Sequence, residues 1–312
     1  MKILEDAIKI IISGLDFAGK TSILTALDKK YNFQQAIMEL KPTIRVEYHQ
    51  TNFMGNPCYF WDMGGQQAYR ELYEKRKEIY FADTDLLIYV IDIQDKERFE
   101  TSLNYLGVIL NYFKESNMDT PIIVSFHKYD PELRNLEDIH NSVEELRELI
   151  TEKYDSFKIL FQQTSIFDII SIIQLISYGL SIFDIKFFEF SLLFERYLIN
   201  EFDCKSLILF DVNGIIISEF YSDPIDSEDY LELVESIKDH LFILKRMQEE
   251  DFKLDYNFFT IERNILSYLH KININEEKYY ISVVIDDSRR ENLLGKFPGF
   301  VDEVKKMFLS IE

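Results

Sequence analysis

The sequence predicts an α/β chain in two parts: a mostly parallel sheet covered by helices on both faces, then a smaller α/β domain around an antiparallel sheet. Three observations predict it. Short apolar runs alternate with amphipathic segments through the first part, the pattern of a sheet buried on both sides. Asn213-Gly214 between two apolar runs marks a hairpin in the second part, because both residues tolerate positive φ. The 312 residues exceed the roughly 100–200 of one domain. The expected domains are 1–184 and 185–312, with no Pro/Gly/Ser-rich linker between them.

The elements follow in order. Ala7–Ser13 is an apolar run that reads as a buried strand, followed by a Gly-rich turn and a helix from Lys20 to about Tyr31. Arg45–Phe53 and Cys58–Met63 read as strands joined by Met54-Gly55-Asn56-Pro57, which is turn chemistry. Asp85–Ile91, Pro121–Phe126 and Phe157–Gln162 are further strands, with helices over Glu97–Lys114 and Ser142–Tyr154 between them. Ile169–Phe183 carries no charge, yet it is shorter than the ~20 residues a spanning helix needs. Its Ile169, Ile172, Ile173, Ile176 and Leu180 recur at helical spacing, so it reads as a core helix. Beyond Ile185 come a helix over Phe187–Phe202, the hairpin Ser206–Phe210 with Ile215–Tyr221, and a long helix over Ser227–Glu250. Strands Phe258–Ile261, Ile265–Leu269 and Tyr279–Ile285 and a last helix over Gly299–Leu309 complete the order.

Composition narrows the function classes. A hydrophobic fraction of 47% with 29% charged residues describes a well-cored globular chain. The net charge of -21 argues against a nucleic-acid surface, which needs clustered Lys and Arg, and against adsorption to an anionic membrane. A phosphate pocket escapes this objection, since it needs only oriented backbone N–H groups and one Lys. Cys58 and Cys204 have no metal or redox spacing and read as buried apolar residues of a reducing compartment. The N-terminal Met1-Lys2-Ile3 lacks a myristoylation Gly, the C-terminal segment offers no prenylation Cys, and no signal peptide is apparent. A cytoplasmic chain, peripheral at membranes only through partners, is the expectation.

Gly14-Leu15-Asp16-Phe17-Ala18-Gly19-Lys20-Thr21 matches G-x-x-x-x-G-K-[ST] between a strand and a helix, the context that a P-loop requires. Its backbone wraps phosphate, Lys20 adds a point charge near the β and γ phosphates, and the Thr21 hydroxyl ligates Mg²⁺. Ser22 follows in the helix's first turn. Pro42-Thr43 offers a second hydroxyl to Mg²⁺ and the γ phosphate. In Trp61-Asp62-Met63-Gly64-Gly65-Gln66, Asp62 holds a Mg²⁺-bound water, the Gly65 N–H senses the γ phosphate, and Gln66 orients the attacking water. His127-Lys128-Tyr129-Asp130 ends the next strong strand, and Asp130 can accept hydrogen bonds from guanine N1–H and its amine, which adenine cannot offer. Thr164-Ser165-Ile166 lines the base pocket. Arg70 and Arg76, on the helix after Gln66, read as solvated charges. Phe187, Phe188, Phe190 and Leu193 read as core.

On these motifs the chain resembles the Ras-superfamily P-loop GTPases, and within them the Rag/Gtr GTPases with Arf-like features. Gly-Leu-Asp-x-Ala-Gly-Lys-Thr and Trp-Asp-x-Gly-Gly-Gln are similar to Arf-like proteins. His127-Lys128-Tyr129-Asp130 and Thr164-Ser165-Ile166-Phe167-Asp168 resemble the Rag variants. The order of elements after Ile185 is similar to the roadblock (longin-like) domain of Rag proteins. The resemblance implies a GTP/GDP switch with Mg²⁺ and slow intrinsic hydrolysis. It implies an exchange factor, a GTPase-activating protein, and a homo- or heterodimer formed through the C-terminal domain. The alternatives are a non-hydrolysing GTP- or GDP-bound scaffold and an Arf-like trafficking GTPase recruited by a partner. Two departures stand out. Arg45 replaces the Gly that Arf-like proteins carry, and His127 replaces the Asn that ties the base loop to the P-loop, which implies a weaker hold on guanine. The Arf-type N-terminal helix and lipid anchor are not recognisable, so no direct membrane insertion is expected.

Overall fold

The computed structural model describes residues 7–29, 37–53, 56–183, 186–222, 236–237, 239–241, 243, 258–262, 264–274 and 277–309. Backbone proximity divides the chain into two compact units, Met1–Leu175 and Ile176–Glu312.

The first unit runs β1 (Ile8–Gly14), α1 (Lys20–Lys29), β2 (Val46–Phe53), β3 (Asn56–Met63), α2 (Gln67–Lys75), the single turn α3 (Lys77–Tyr80), β4 (Leu86–Asp92), α4 (Phe99–Glu115), β5 (Ile122–His127), α5 (Glu137–Lys153), β6 (Ile159–Thr164) and α6 (Ile169–Ser181), in which the division falls. Six strands form one sheet in the order β2-β3-β1-β4-β5-β6. Only β2 runs antiparallel to its neighbour. Every residue of β5 is buried and all but the last of β4, so both sheet faces are covered, as the uninterrupted apolar runs predict. Leu106, Ile109, Leu110 and Phe113 of α4 are fully buried at i, i+3, i+4 and i+7. Each contributes roughly 1.5–3 kcal/mol by leaving water. In α6 the expected core stripe is present, with Ile172, Ile173 and Leu180 fully buried. No helix among the described residues is long and apolar enough to cross a membrane.

Parallel pairing brings the strand ends to one edge. Ile12 lies beside Asp62, Gly14 beside Val90, Asp92 beside His127, and His127 beside Thr164. Ligands of such sheets bind in the crevice outside the carboxyl ends.

The second unit continues with α7 (Lys186–Arg196), a π-helical stretch (Tyr197–Phe202), β7 (Ser206–Asp211), β8 (Ile216–Tyr221), β9 (Phe258–Glu262), β10 (Ile265–Ile274), β11 (Glu277–Asp286) and α8 (Arg290–Leu309). Its five strands pair antiparallel in the order β8-β7-β11-β10-β9. The β7–β8 hairpin turns at Gly214, whose φ of 72° suits glycine, while Asp211 Oδ1 accepts the Ile215 N–H at 2.8 Å. Phe190 and Leu193 are buried, as expected of core. The side chains of Phe187 and Phe188, the turn residues Met54 and Gly55, and most of the helix expected over Ser227–Glu250 lie outside the described residues. Both cysteines are buried and neither forms a disulfide.

Two boundaries differ from expectation for physical reasons. The last helix starts at Arg290, not Gly299, and runs through Pro298. A proline inside a helix costs about 3 kcal/mol. Burial of Leu293, Phe297, Phe300, Val301 and Val304 on one stripe exceeds that cost. The helix expected over Phe187–Phe202 becomes π-helical after Arg196, burying Tyr197, Leu198 and Phe202, and ends at Asp203 in a left-handed conformation.

Candidate functional site

The segment after β1 cannot continue as strand. Phe17 adopts φ 62° and Gly19 φ 99°, so the chain curls before α1. Lys20 is almost fully buried beneath the curl, donating from Nζ to the carbonyls of Gly14 at 3.2 Å and Leu15 at 2.7 Å. Burial lowers its pKa to about 8, partly offset by the charges of Asp62 and Asp16. Such a lysine gains from an incoming anion. The curl is braced by Arg98, before α4, which donates to the Asp16 carbonyl at 3.0 Å and pairs with its carboxylate.

Beside the helix start three oxygens converge. Thr21 Oγ1 donates to Asp62 Oδ2 at 2.5 Å, and Thr43 Oγ1 lies 2.9 Å from Thr21 Oγ1 and 3.2 Å from Asp62 Oδ2. Two hydroxyls and a fully buried carboxylate form a hard oxygen set, which fits Mg²⁺. The next residues are held by Arg45, whose carbonyl accepts the Gly64 N–H and the Tyr73 hydroxyl, each at 2.6 Å. Arg45 has φ 61°, in the left-handed region that favours glycine.

Gly65 abuts the curl: a Cβ there would lie 2.2 Å from the Asp16 nitrogen, so only glycine brings this backbone so near. Gln66 opens α2, and its buried Oε1 has no hydrogen-bond partner among the described residues. Arg70 departs from the expected solvated charge. It is half-buried, donates from Nε to the Gly65 carbonyl at 2.9 Å, and lies over the Tyr105 ring. Arg76 is exposed, as expected.

At the other end of the edge, Asp130 Oδ1 accepts from Ser165 Oγ at 2.6 Å and Oδ2 from Gln94 Nε2 at 3.0 Å. Lys128 reaches Asp92 at 2.6 Å. His127 is buried, and its Nδ1 lies 2.9 Å from Thr164 Oγ1. Burial, with the Lys128 charge, lowers its pKa to about 3, so the ring is neutral. A Cβ on Gly19 would meet the His127 ring at 2.3 Å. The imidazole therefore packs on the P-loop, the contact that the missing Asn was expected to forfeit.

One cleft of about 460 Å³ gathers these parts. Asp16, Gly19, Lys20, Thr21, Ser22, Thr43, Gly65, Gln66, His127, Lys128, Asp130 and Ile166 line it. Gly14, Asp62 and Ser165 support that lining through their bonds to Lys20, Thr21 and Asp130, and Ala18 is buried inside the curl. Asp92, Gln94 and Arg98 join the site although no motif in the sequence announces them. Asp92, a carboxylate at a strand's carboxyl end, was findable; Gln94 and Arg98 carry no motif.

Comparison with known proteins points to one family. The model of the ADP-ribosylation factor family (Arf) matches residues 1–169. ADP-ribosylation factor-like protein 4C of Homo sapiens is 33% identical over 129 residues, 40% of this chain and 62% of its own. ADP-ribosylation factor-like protein 1 of Saccharomyces cerevisiae is 33% identical over 124 residues, 39% of this chain and 61% of its own. Ras-related GTP-binding protein A of Dictyostelium discoideum is 32% identical over 124 residues, 39% of this chain and 40% of its own. The chain thus spans less than two thirds of the length of each of these relatives. The solved Arl6 (BBS3) small GTPase of Trypanosoma brucei, bound to GppNp, aligns with 56% of this chain and 96% of its own, at TM-score 0.43 and 18% identity.

Proposed function

The chain belongs to the ADP-ribosylation factor family, and on that premise we propose that it is a guanine-nucleotide switch that binds GTP and hydrolyses it to GDP. One observation carries the proposal: the buried Lys20 at the start of α1, the Thr21 and Thr43 hydroxyls bonded to Asp62 behind them, and the Asp130 carboxylate meet at a single cleft. The N–H groups at the start of α1 and Lys20 bind the β and γ phosphates. Asp130 reads guanine, with Ser165 and Gln94 fixing its carboxylate. Thr21, Thr43 and Asp62 would hold Mg²⁺, which neutralises charge on the phosphate oxygens when bound. Gln66, with an uncommitted Oε1, orients a water in line with the γ phosphorus. The water oxygen bonds to that phosphorus, the bond to the β–γ bridging oxygen breaks, and GDP and phosphate leave, the water proton passing to phosphate. Loss of the γ phosphate frees Gly65 and Thr43, the change a partner reads. Exchange and activating proteins are expected to control the cycle.

We read residues 1–184 as the nucleotide domain and 185–312 as a roadblock/longin-like domain through which the chain pairs with itself or a related GTPase. The antiparallel order β8-β7-β11-β10-β9 with flanking helices supports that reading.

Gln66→Leu should slow single-turnover GTP hydrolysis by ~10–100-fold while leaving GTP affinity within a few-fold. Equal turnover would remove Gln66 from the mechanism, and no turnover in the wild type would leave the non-hydrolysing scaffold. Affinity should also depend on pH. Lys20 titrates near pH 8 without ligand, and a bound phosphate favours its charged form, so binding takes up a proton as pH rises past that value. Affinity for GDP should therefore fall about tenfold between pH 7 and pH 9 by calorimetry. A flat profile would mean that Lys20 stays charged without the phosphate.

A further inference from the structure

We infer that Glu47 and His49 of β2, with Asp62 Oδ1 on β3, form a second divalent-cation site, suited to an ion of the zinc class. It shares Asp62 with the proposed Mg²⁺ site but requires no nucleotide. The strand register creates it. Glu47 lies opposite Asp62 and His49 opposite Phe60, so the two-residue period places Glu47, His49 and Asp62 on one face. One ligand atom from each residue lies within 4.8 Å of the others.

Two buried atoms of these residues point to an absent ligand. Asp62 is fully buried, and while its Oδ2 serves Thr21 and Thr43, its Oδ1 has no hydrogen-bond partner among the described residues. His49 Nε2 is also buried without one. A buried carboxylate oxygen and a buried imidazole nitrogen left unpaired on residues of one cluster are costly, and either a proton or a cation between them would resolve both. The second carboxylate, Glu47, favours the cation, because a proton would serve only one of two negative groups. One imidazole nitrogen with two carboxylates is a donor set for zinc, less so for Mg²⁺, which prefers oxygen alone. A tetrahedral ion with bonds of about 2.0–2.2 Å holds its donors roughly 3.4 Å apart. The cluster must therefore contract by at most about 1.4 Å, a small rotation of side chains of which Glu47 is exposed. Water would complete the fourth position.

The test uses the full chain, stripped with chelator and resupplied with Mg²⁺ and GDP. Zn²⁺ is titrated calorimetrically, and Co²⁺ is followed by its visible absorption. The expected result is one ion per chain in the micromolar range, weakened at least 100-fold with loss of the Co²⁺ band in His49→Ala, and about 10-fold weaker in Glu47→Gln. No uptake by the wild type, or equal uptake by both variants, overturns the site and leaves a direct His49–Asp62 hydrogen bond or loose surface binding. Should His49→Ala not fold, Glu47→Gln, at an exposed position, decides alone. Guanine-nucleotide binding is measured on the same preparations. Nucleotide binding without Zn²⁺ uptake overturns this inference only, whereas Zn²⁺ uptake without nucleotide binding supports it and overturns the switch.

Discussion

Asp130→Asn is expected to weaken GDP binding by about 100-fold or more and to make xanthosine diphosphate the preferred ligand. The Asp130 carboxylate already accepts from Ser165 Oγ and Gln94 Nε2, one bond on each oxygen. A carboxylate has about four lone-pair sites, so two remain to face guanine N1–H and its exocyclic amine. Hydrogen bonds to a charged group contribute about 1.5–3 kcal/mol each, which gives roughly 3–6 kcal/mol for the pair. An asparagine amide replaces one acceptor by a donor, which then opposes the guanine amine. Xanthine carries an oxygen at that position and accepts from the new donor. Competition between GDP and xanthosine diphosphate, read with a fluorescent nucleotide, measures both changes. An unaltered preference would refute the assignment of Asp130.

Lys20→Met should lower GDP affinity by roughly 1,000-fold while moving the melting temperature of ligand-free protein by only a few degrees. A unit charge about 4 Å from phosphate is worth ~4 kcal/mol at an effective dielectric of 20. The stability effect is small because two contributions oppose. The substitution removes the donor that satisfies the Gly14 and Leu15 carbonyls, and it also relieves the buried charge whose desolvation depresses the lysine's pKa. Calorimetric titration and thermal melts check the two halves separately. Affinity within threefold of wild type would remove Lys20 from phosphate binding.

Most of the first unit was legible in the sequence because its central strands, β4 and β5 above all, are nearly continuous apolar runs and helices such as α4 have a clear stripe. The curl before α1, Thr43, Asp62–Gln66 and Asp130 were legible as candidate site residues because the proposed chemistry demands particular residues at fixed local spacing. Where sequence and structure differ, a distant contact outweighs a local signal. Pro298 marks a helix end locally, yet Phe297, Phe300 and Val304 bury the helix on both sides of it. Arg70 looks like any helix-surface charge until α2 turns it toward the Gly65 carbonyl. Arg98 lies 82 residues from the Asp16 it clamps, and Gln94 lies 36 from the Asp130 it orients.

By itself, then, the order of residues determined which backbone curls, which side chains carry charge and hydroxyl, and which segments become strand or helix, since these depend on neighbours along the chain. Tertiary structure alone decided which of those groups meet. Strand order sets the curl before α1 and the Asp130 end along one sheet edge, packing removes water from Lys20 and His127, and the β2–β3 register places Glu47 opposite Asp62 with His49 on the same face. Such meetings depend on residues far apart in the chain, and no local period encodes them.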